Sequence, residues 1–398
     1  MTVAKISGRG AEEEILLMRV LINTVPLYGK GAGARTYTAG LLTALSASDA
    51  DMEWYVHLRA ADFARLGLTA DSRFHRLRFA GPAEPPAVPG ARFVWRNALD
   101  QVVLPGAARR FDVVHYLDSY GPRLLSSGAT PFVLTVHDLF PITHPGYFSP
   151  WVARYLAALM RAIPHAASLM AISSETAREI ERVFGVALER IHVVYNGVDA
   201  RFQPASASEC RAVAARYGAT GPYLITVGAV EARKNLARVI HAFAAARAER
   251  QLPHSLLIVG KPGWGYDEIV AAAQAAGSDA VRLLGYIPDA DTPALMSGAD
   301  ALIHLSLAEG FGLPIAEGMA CGAPVITSTP GALAEVAGSA ALLVDPTDER
   351  AIADAIIHIC LDPALRARLR ASSLERARLF RWSLVAEAAI AAYRAAAR

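Results

Sequence analysis

The chain has 398 residues, 53% of them apolar, with 39 lysines and arginines against 37 aspartates and glutamates. That length exceeds one ordinary core and supports two, each of roughly 150 to 200 residues, while the near-balance of charge excludes the non-specific pull on nucleic acid or an anionic membrane that a strongly basic chain would have. Cys210, Cys321 and Cys360 are far apart with no C-x-x-C pair, which excludes a disulfide framework and a cysteine-built zinc site and fits a reducing cytoplasm.

The opening MTVAKISGRGAEEEILL places Glu12, Glu13 and Glu14 ahead of its apolar run, the wrong order for a secretory signal. Residues 1–17 are therefore expected to be a disordered extension, with the folded chain starting near Met18. Nowhere do about 18 apolar residues follow one another unbroken, so no bilayer-spanning helix is expected. The expected location is cytoplasmic, with peripheral contact at the inner membrane face left open.

From Met18 onward, short runs rich in Val, Ile and Leu alternate with stretches of helical period, the pattern of parallel strands covered by helices. The first predicted strand, RVLIN (19–23), is followed by a glycine-rich turn, GKGAGARTY (29–37). EWYVHL (53–58), a proline-rich loop GPAEPPAVPG (81–90), DVVHYL (112–117), PFVLTVHD (131–138), SLMAIS (168–173) and IHVVYNG (191–197) come next. The stretch GVDARFQPASAS (197–208) has no periodicity and reads as a linker. The alternation then restarts with PYLITVG (222–228), SLLIVG (255–260), VRLLGY (281–286), ALIHLS (301–306), PVITS (324–328) and ALLVDP (341–346). After residue 348 the chain is almost wholly helical. The fold expected is α/β, with two facing Rossmann-like domains, 18–203 and 204–380, and a last helix within 381–398 that packs back on the first. Ligands of open parallel sheets bind at the carboxyl ends of strands, so the cleft between two such sheets is where motifs matter.

The stretch AEGFGLPIAEGMACGAPVI (308–326) follows a predicted strand and opens a helix near Leu313 or Pro314, since proline suits a first helical turn and Gly310 and Gly312 break the strand. A helix start carries free N–H groups and partial positive charge, and so suits a diphosphate. Glu309 and Glu317 flank it, and a carboxylate accepting two hydrogen bonds suits a vicinal diol on a sugar. The pattern leaves a second reading open, in which Glu317 satisfies the helix entrance and Glu309 is a solvated loop charge. Arg233 and Lys234, after the strand PYLITVG, would bring two cations to the same cleft. Two D-x-D triplets, Asp49 with Asp51 and Asp289 with Asp291, fall in a polar connection and at a helix start, where Asp is a favoured cap. No catalytic metal is expected from them.

EGFGLPIAE is an E-x7-E motif, and the run from Ser306 to Asp348 resembles the signature region of glycosyltransferase family 4, enzymes of GT-B fold. VGAVEARKN (227–235), GYIPDADTPALMSGADALIHLS (285–306), HVVYNGVD (192–199) and TVHDLFPITHP (135–145) extend the resemblance over most of residues 18–385. It implies a retaining, metal-independent transfer of a hexose from a nucleotide diphosphate sugar to a glycan or lipid-linked glycan, with no cofactor and no nucleic-acid partner. It further implies that Arg233 and Lys234 hold the donor diphosphate with the Gly310, Phe311, Gly312 and Leu313 backbone. Glu309 would hold the hexose, Glu317 the ribose, and His137 would contact the transferred sugar. Gly31 and Gly33 match a loop bordering the reacting phosphate, although Arg35 stands where many members have glycine. His115 is a lesser candidate, and Asn196 with Gly197 is expected to form a turn between domains. Likeness to bacterial mannosyltransferases of surface polysaccharide assembly favours GDP-mannose over UDP-sugars. Residues 81–90 would help select the acceptor, and WVARYLAALMRAI (151–163) could touch a membrane surface or pack in the core. A nucleotide-sugar epimerase or phosphorylase of the same fold, or a silent nucleotide-sugar-binding partner, are the alternatives. An NAD-linked oxidoreductase is disfavoured, because no G-x-G-x-x-G follows a strand with an acidic residue about 20 positions on.

Overall fold

The structure, a computed structural model, describes residues 17–28, 32–77, 104–120 and 130–398. Gly31, the loop 81–90 and the first 16 residues of the expected extension lie outside the described residues. The first sheet contains β1 (Met18–Asn23), β2 (Met52–Val56), β3 (Phe74–Arg76), β4 (Val113–Tyr116), β5 (Phe132–Val136), β6 (Ser168–Ala171) and β7 (Ile191–Val193). They lie in the order β3-β2-β1-β4-β5-β6-β7, every pair parallel. The second contains β8 (Tyr223–Val227), β9 (Ser255–Val259), β10 (Val281–Gly285), β11 (Ala301–His304), β12 (Val325–Ser328) and β13 (Ala341–Val344), in the order β10-β9-β8-β11-β12-β13, again parallel.

Both sheets are doubly wound. Strand order reverses direction between β1 and β4 in the first and between β8 and β11 in the second, and the loops leaving those strands diverge to open a crevice at their carboxyl ends. β4, β5, β6, β11 and β12 are buried at every position, which is why they read in the sequence as unbroken apolar runs rather than alternations. β3 has no such signal. It is three residues long, sits at the edge, and buries Phe74 while His75 and Arg76 stay partly exposed.

The last helix, Trp382–Ala396, puts Val385, Ala389 and Tyr393 into the core of the first sheet. Its Trp382 fills a slot that only glycine permits: a Cβ on Gly40 or Gly197 would approach the indole to 2.2 or 2.3 Å. The chain thus passes between the sheets twice, once after β7 and once before Trp382, and the two crossings touch, with the Val198 amide donating to the Phe380 carbonyl at 2.9 Å.

Candidate active site

On the second-domain side, β8 ends in a loop that tightens into a 3-10 turn, Ala232–Lys234, before Asn235 takes a left-handed conformation (φ 59°) and starts the helix Leu236–Arg250. That turn projects Arg233 and Lys234 toward the loop after β11. Arg233 donates from Nη1 to the Ala308 carbonyl at 2.7 Å and from Nη2 to Glu231 at 2.7 Å, and Nη1 lies 3.0 Å from Glu309 Oε2. Lys234 Nζ is hydrogen-bonded to Glu309 Oε1, which also accepts from the Ser306 hydroxyl at 2.9 Å and faces His304 Nε2 at 3.3 Å. Although burial alone would raise it, Lys234, His304 and Arg233 together hold the Glu309 carboxyl well below its usual range. Burial, with Lys234 beside it, lowers the His304 pKa. Glu309 is therefore a largely buried anion that organises the cations, not a solvated loop charge, and Oε2 retains room for one more donor.

The loop from β11 enters the helix Leu313–Ala320 through Gly312, at φ 98°, with proline in the first turn. A left-handed backbone there suits only glycine, and a Cβ would also come within 2.4 Å of Leu333. The Phe311 ring is buried in the second-domain core, 6.0 Å from Tyr195 and 5.6 Å from Phe380 between centroids. Only its backbone is left to meet a ligand. Among the described residues no protein acceptor meets the amides of Gly310, Phe311, Gly312 and Leu313, as expected of a helix start open to an anion.

Glu317 sits one turn into that helix, so it does not cap the entrance. Burial pushes its carboxyl up to about 7, with Arg201 opposing and Asp199 and Asp289 adding to the rise. Among the described residues no protein donor reaches it.

The first domain contributes the ends of β1, β4 and β5. His137, just past β5, places its Nε2 3.1 Å from the Leu117 carbonyl. Since a carbonyl only accepts, Nε2 carries the proton and Nδ1 is the free ring nitrogen in the neutral tautomer. Asp138 accepts from the Phe140 amide at 3.0 Å, and burial raises its pKa. Contact between the domains is close here. A Cβ on Gly310 would lie 1.9 Å from the His137 carbonyl oxygen, and one on Gly33 would lie 3.9 Å from Leu313 Cδ1. Gly33, His137, Arg233, Lys234, Glu309 and Glu317 all line one cleft of about 2240 Å³ between the sheets. Arg35 borders it too, with its side chain exposed.

Other sequence candidates go elsewhere. His115 is fully buried between the Tyr393 hydroxyl at 2.7 Å and the Thr135 hydroxyl at 2.8 Å, and burial lowers its pKa to about 3. It is a neutral core histidine. Asp291 occupies the position before the helix Thr292–Gly298 but makes no side-chain cap bond; Arg216 at 2.7 Å and the Tyr217 hydroxyl at 2.5 Å hold it instead. Asp51 pairs with Arg73 at 3.7 Å, while Asp49 of the same triplet lines the cleft. Among the described residues no group of three or more His, Cys, Asp or Glu side chains could hold a metal ion. Sequence spacing gave no sign of Glu231, which clamps Arg233, or of Glu335, which reaches across to the first domain.

The chain matches the family model described as "Glycosyltransferase Family 4" over residues 31–202 and that described as "Glycosyl transferases group 1" over residues 215–376. It is 31% identical over 285 residues to the O-antigen chain mannosyltransferase B of Escherichia coli, covering 71% of this chain and 74% of that one. The chain belongs to glycosyltransferase family 4. A second relative of this transferase, the MMP alpha-(1->4)-mannosyltransferase of Mycolicibacterium hassiacum, is 31% identical over 314 residues, 73% of this chain and 72% of that one. The fold is GT-B: the Anabaena protein HepE, solved in complex with UDP-glucose, superposes with a TM-score of 0.68 at 20% identity, covering 94% of this transferase and 98% of its own chain. No helix among the described residues of the transferase is long and apolar enough to cross a membrane.

Proposed function

We propose that this transferase moves mannose from GDP-mannose to a hydroxyl of a glycan or lipid-linked glycan, with retention of anomeric configuration and without a divalent metal. The reading rests on a convergence in one cleft. Arg233 and Lys234, four backbone amides without protein acceptors and a Glu317 carboxylate without a protein donor all face the same space. A diphosphate answers the cations and amides, and a ribose diol answers Glu317.

Ribose at Glu317 sends the base away from the phosphates, toward Tyr286 and Asp289 beyond β10. Asp289 is 63% exposed; its Oδ1 accepts from the Tyr286 hydroxyl at 3.2 Å and its Oδ2 lies 3.6 Å from Arg201 Nη1, which leaves each oxygen a lone pair for a further donor. A carboxylate matches the adjacent N1–H and N2–H donors of guanine, whereas uracil offers a single N–H between two carbonyls. The names of the two relatives at 31% identity support mannose as the sugar.

In the step itself, the bond from the anomeric carbon to the phosphate oxygen breaks while the acceptor oxygen bonds to that carbon on the same face. The departing phosphate oxygen takes the acceptor's proton, giving GDP and the glycoside. Arg233, Lys234 and the amides of residues 310–313 stabilise charge developing on the phosphate, in a site already arranged for it. Glu309 holds both cations in place and offers Oε2 to a hexose hydroxyl, and His137 Nδ1 accepts from another. Thermal stabilisation by GDP, UDP and ADP is the first test. A ligand at 100 times its Kd adds about 2.7 kcal/mol. Stronger stabilisation by UDP than by GDP would end the guanine assignment, and absence of mannose release from GDP-mannose would end the reaction assignment. Asp289→Asn should weaken GDP and strengthen xanthosine diphosphate, whose C2 carbonyl the new amide can meet.

A further inference from the structure

Glu335 belongs to the second domain, in the short helix Ala332–Ala337 after β12, yet its carboxylate binds the first domain. Oε1 accepts from the Ser174 amide at 2.7 Å and Oε2 from the Glu175 amide at 3.0 Å, the first two residues of the helix Ser174–Phe184. The Ser173 hydroxyl takes the Thr176 amide at 3.0 Å. Two of the free donors at this helix end are therefore satisfied by the other domain, through charge-assisted bonds at the positive end of the helix dipole.

Both ends of this bridge continue into the active site. On the second-domain side, Arg376 fixes the helix bearing Glu335 by donating to the Val336 carbonyl at 2.9 Å and to the Glu335 carbonyl at 2.6 Å. Leu333 of the same helix occupies the space beside Gly312 that a Cβ would enter. On the first-domain side, Ile172, two residues before Ser174, lies 3.4 Å from where a Gly310 Cβ would stand, and the His137 carbonyl lies 1.9 Å from it. An unbroken line of contacts thus joins Glu335 to the backbone that lines the diphosphate site.

We propose that Glu335 is a positioning residue, an interdomain pin that keeps the His137 strand end seated on the 310–313 loop and so holds the cleft in its reactive closure. Its kinetic consequence rests on the proposed transfer reaction; its structural consequence does not. The test therefore has two arms. Nitroxide labels at Glu189→Cys and Glu268→Cys, one exposed site on each domain, report the interdomain distance by electron–electron double resonance, since all three native cysteines are buried. Glu335→Ala should lengthen and broaden that distance, while Glu335→Gln, whose amide oxygen still accepts one bond, should fall between it and the parent. With GDP-mannose, Glu335→Ala should lower kcat about tenfold or more and leave KM for the donor within about twofold, because closure and not donor contact is lost. An unchanged distance distribution in Glu335→Ala overturns the pin, whatever the rate. If the parent itself does not turn over GDP-mannose, the donor assignment fails while the distance measurement still decides the role of Glu335.

Discussion

If Glu317 holds the donor ribose, as proposed, donor binding depends on pH in a way that can be worked out in advance. Burial lifts its carboxyl from 4.5 to about 7, and only the ionised form offers both ribose hydroxyls charge-assisted acceptors. The apparent Kd for GDP then scales as 1 + 10^(pKa − pH), which is about 1.1 times its limiting value at pH 8, about 2 times at pH 7 and about 11 times at pH 6. Glu317→Gln removes a charged acceptor, at a cost of about 1.5 to 3 kcal/mol at pH 8, or roughly 10- to 150-fold. GDP itself takes up a proton near pH 6, so the quantity to follow by isothermal titration calorimetry is the ratio of the Kd of Glu317→Gln to that of the parent. It should shrink about tenfold between pH 8 and pH 6. A ratio independent of pH would refute the ribose assignment. The sign for stability is opposite. A folded pKa above the unfolded one means the fold favours the neutral form, so the unliganded protein loses stability as pH rises from 4.5 through 7, by at most about 3 kcal/mol. Glu317→Gln should accordingly melt higher than the parent at pH 8 and level with it at pH 4.5, a gain in stability at the expense of binding.

Arg233→Ala combined with Lys234→Ala should lower turnover about 10²- to 10³-fold or more, with the leaving-group charge unsupported, and single-turnover kinetics would place the loss in the chemical step. Gly310→Ala drives a methyl into the His137 carbonyl; activity should fall at least about tenfold while a thermal melt moves only a few degrees, because the domains can part to relieve the clash. His115→Ala should do the reverse. It strips the Tyr393 hydroxyl of its partner, leaves Thr135 only the Tyr37 hydroxyl and opens a cavity in the core, costing about 2 to 4 kcal/mol in denaturant titration, with GDP affinity unchanged. EDTA should leave mannose transfer intact, whereas loss of activity restored by added Mg²⁺ would overturn the metal-independent reading.

Much of this molecule is legible in its sequence because its central strands are covered on both faces. Runs such as VLTV in β5 or ALIH in β11 have no polar side to interrupt them, and their boundaries fall within a residue or two of those observed. β3 was invisible for the converse reason, being a short edge strand that buries one side chain. Motif spacing also placed Arg233, Lys234, Glu309 and Glu317 around one helix start. It could not show that Glu309 is already engaged by both cations, because that depends on Arg233 and Lys234 arriving from β8, some 75 positions away in the chain. It kept His115 only as a lesser candidate beside His137 and could not say why: His115 lies within β4, where the Tyr393 hydroxyl from the last helix makes it a core residue, while His137 lies just past β5 and borders the cleft. Glu335 is the extreme case, a helix cap supplied from 161 residues away.

The two backbone passages between the halves, tied together by the amide of Val198 and the carbonyl of Phe380, behave as one knuckle rather than as two loose tethers. With the Trp382 indole packed against Gly40 of the first domain and Gly197 of the first passage, the second passage is fastened to both. That fastening fixes how the two separately wound sheets face each other, and with it the spacing between the residues that each contributes to the cleft.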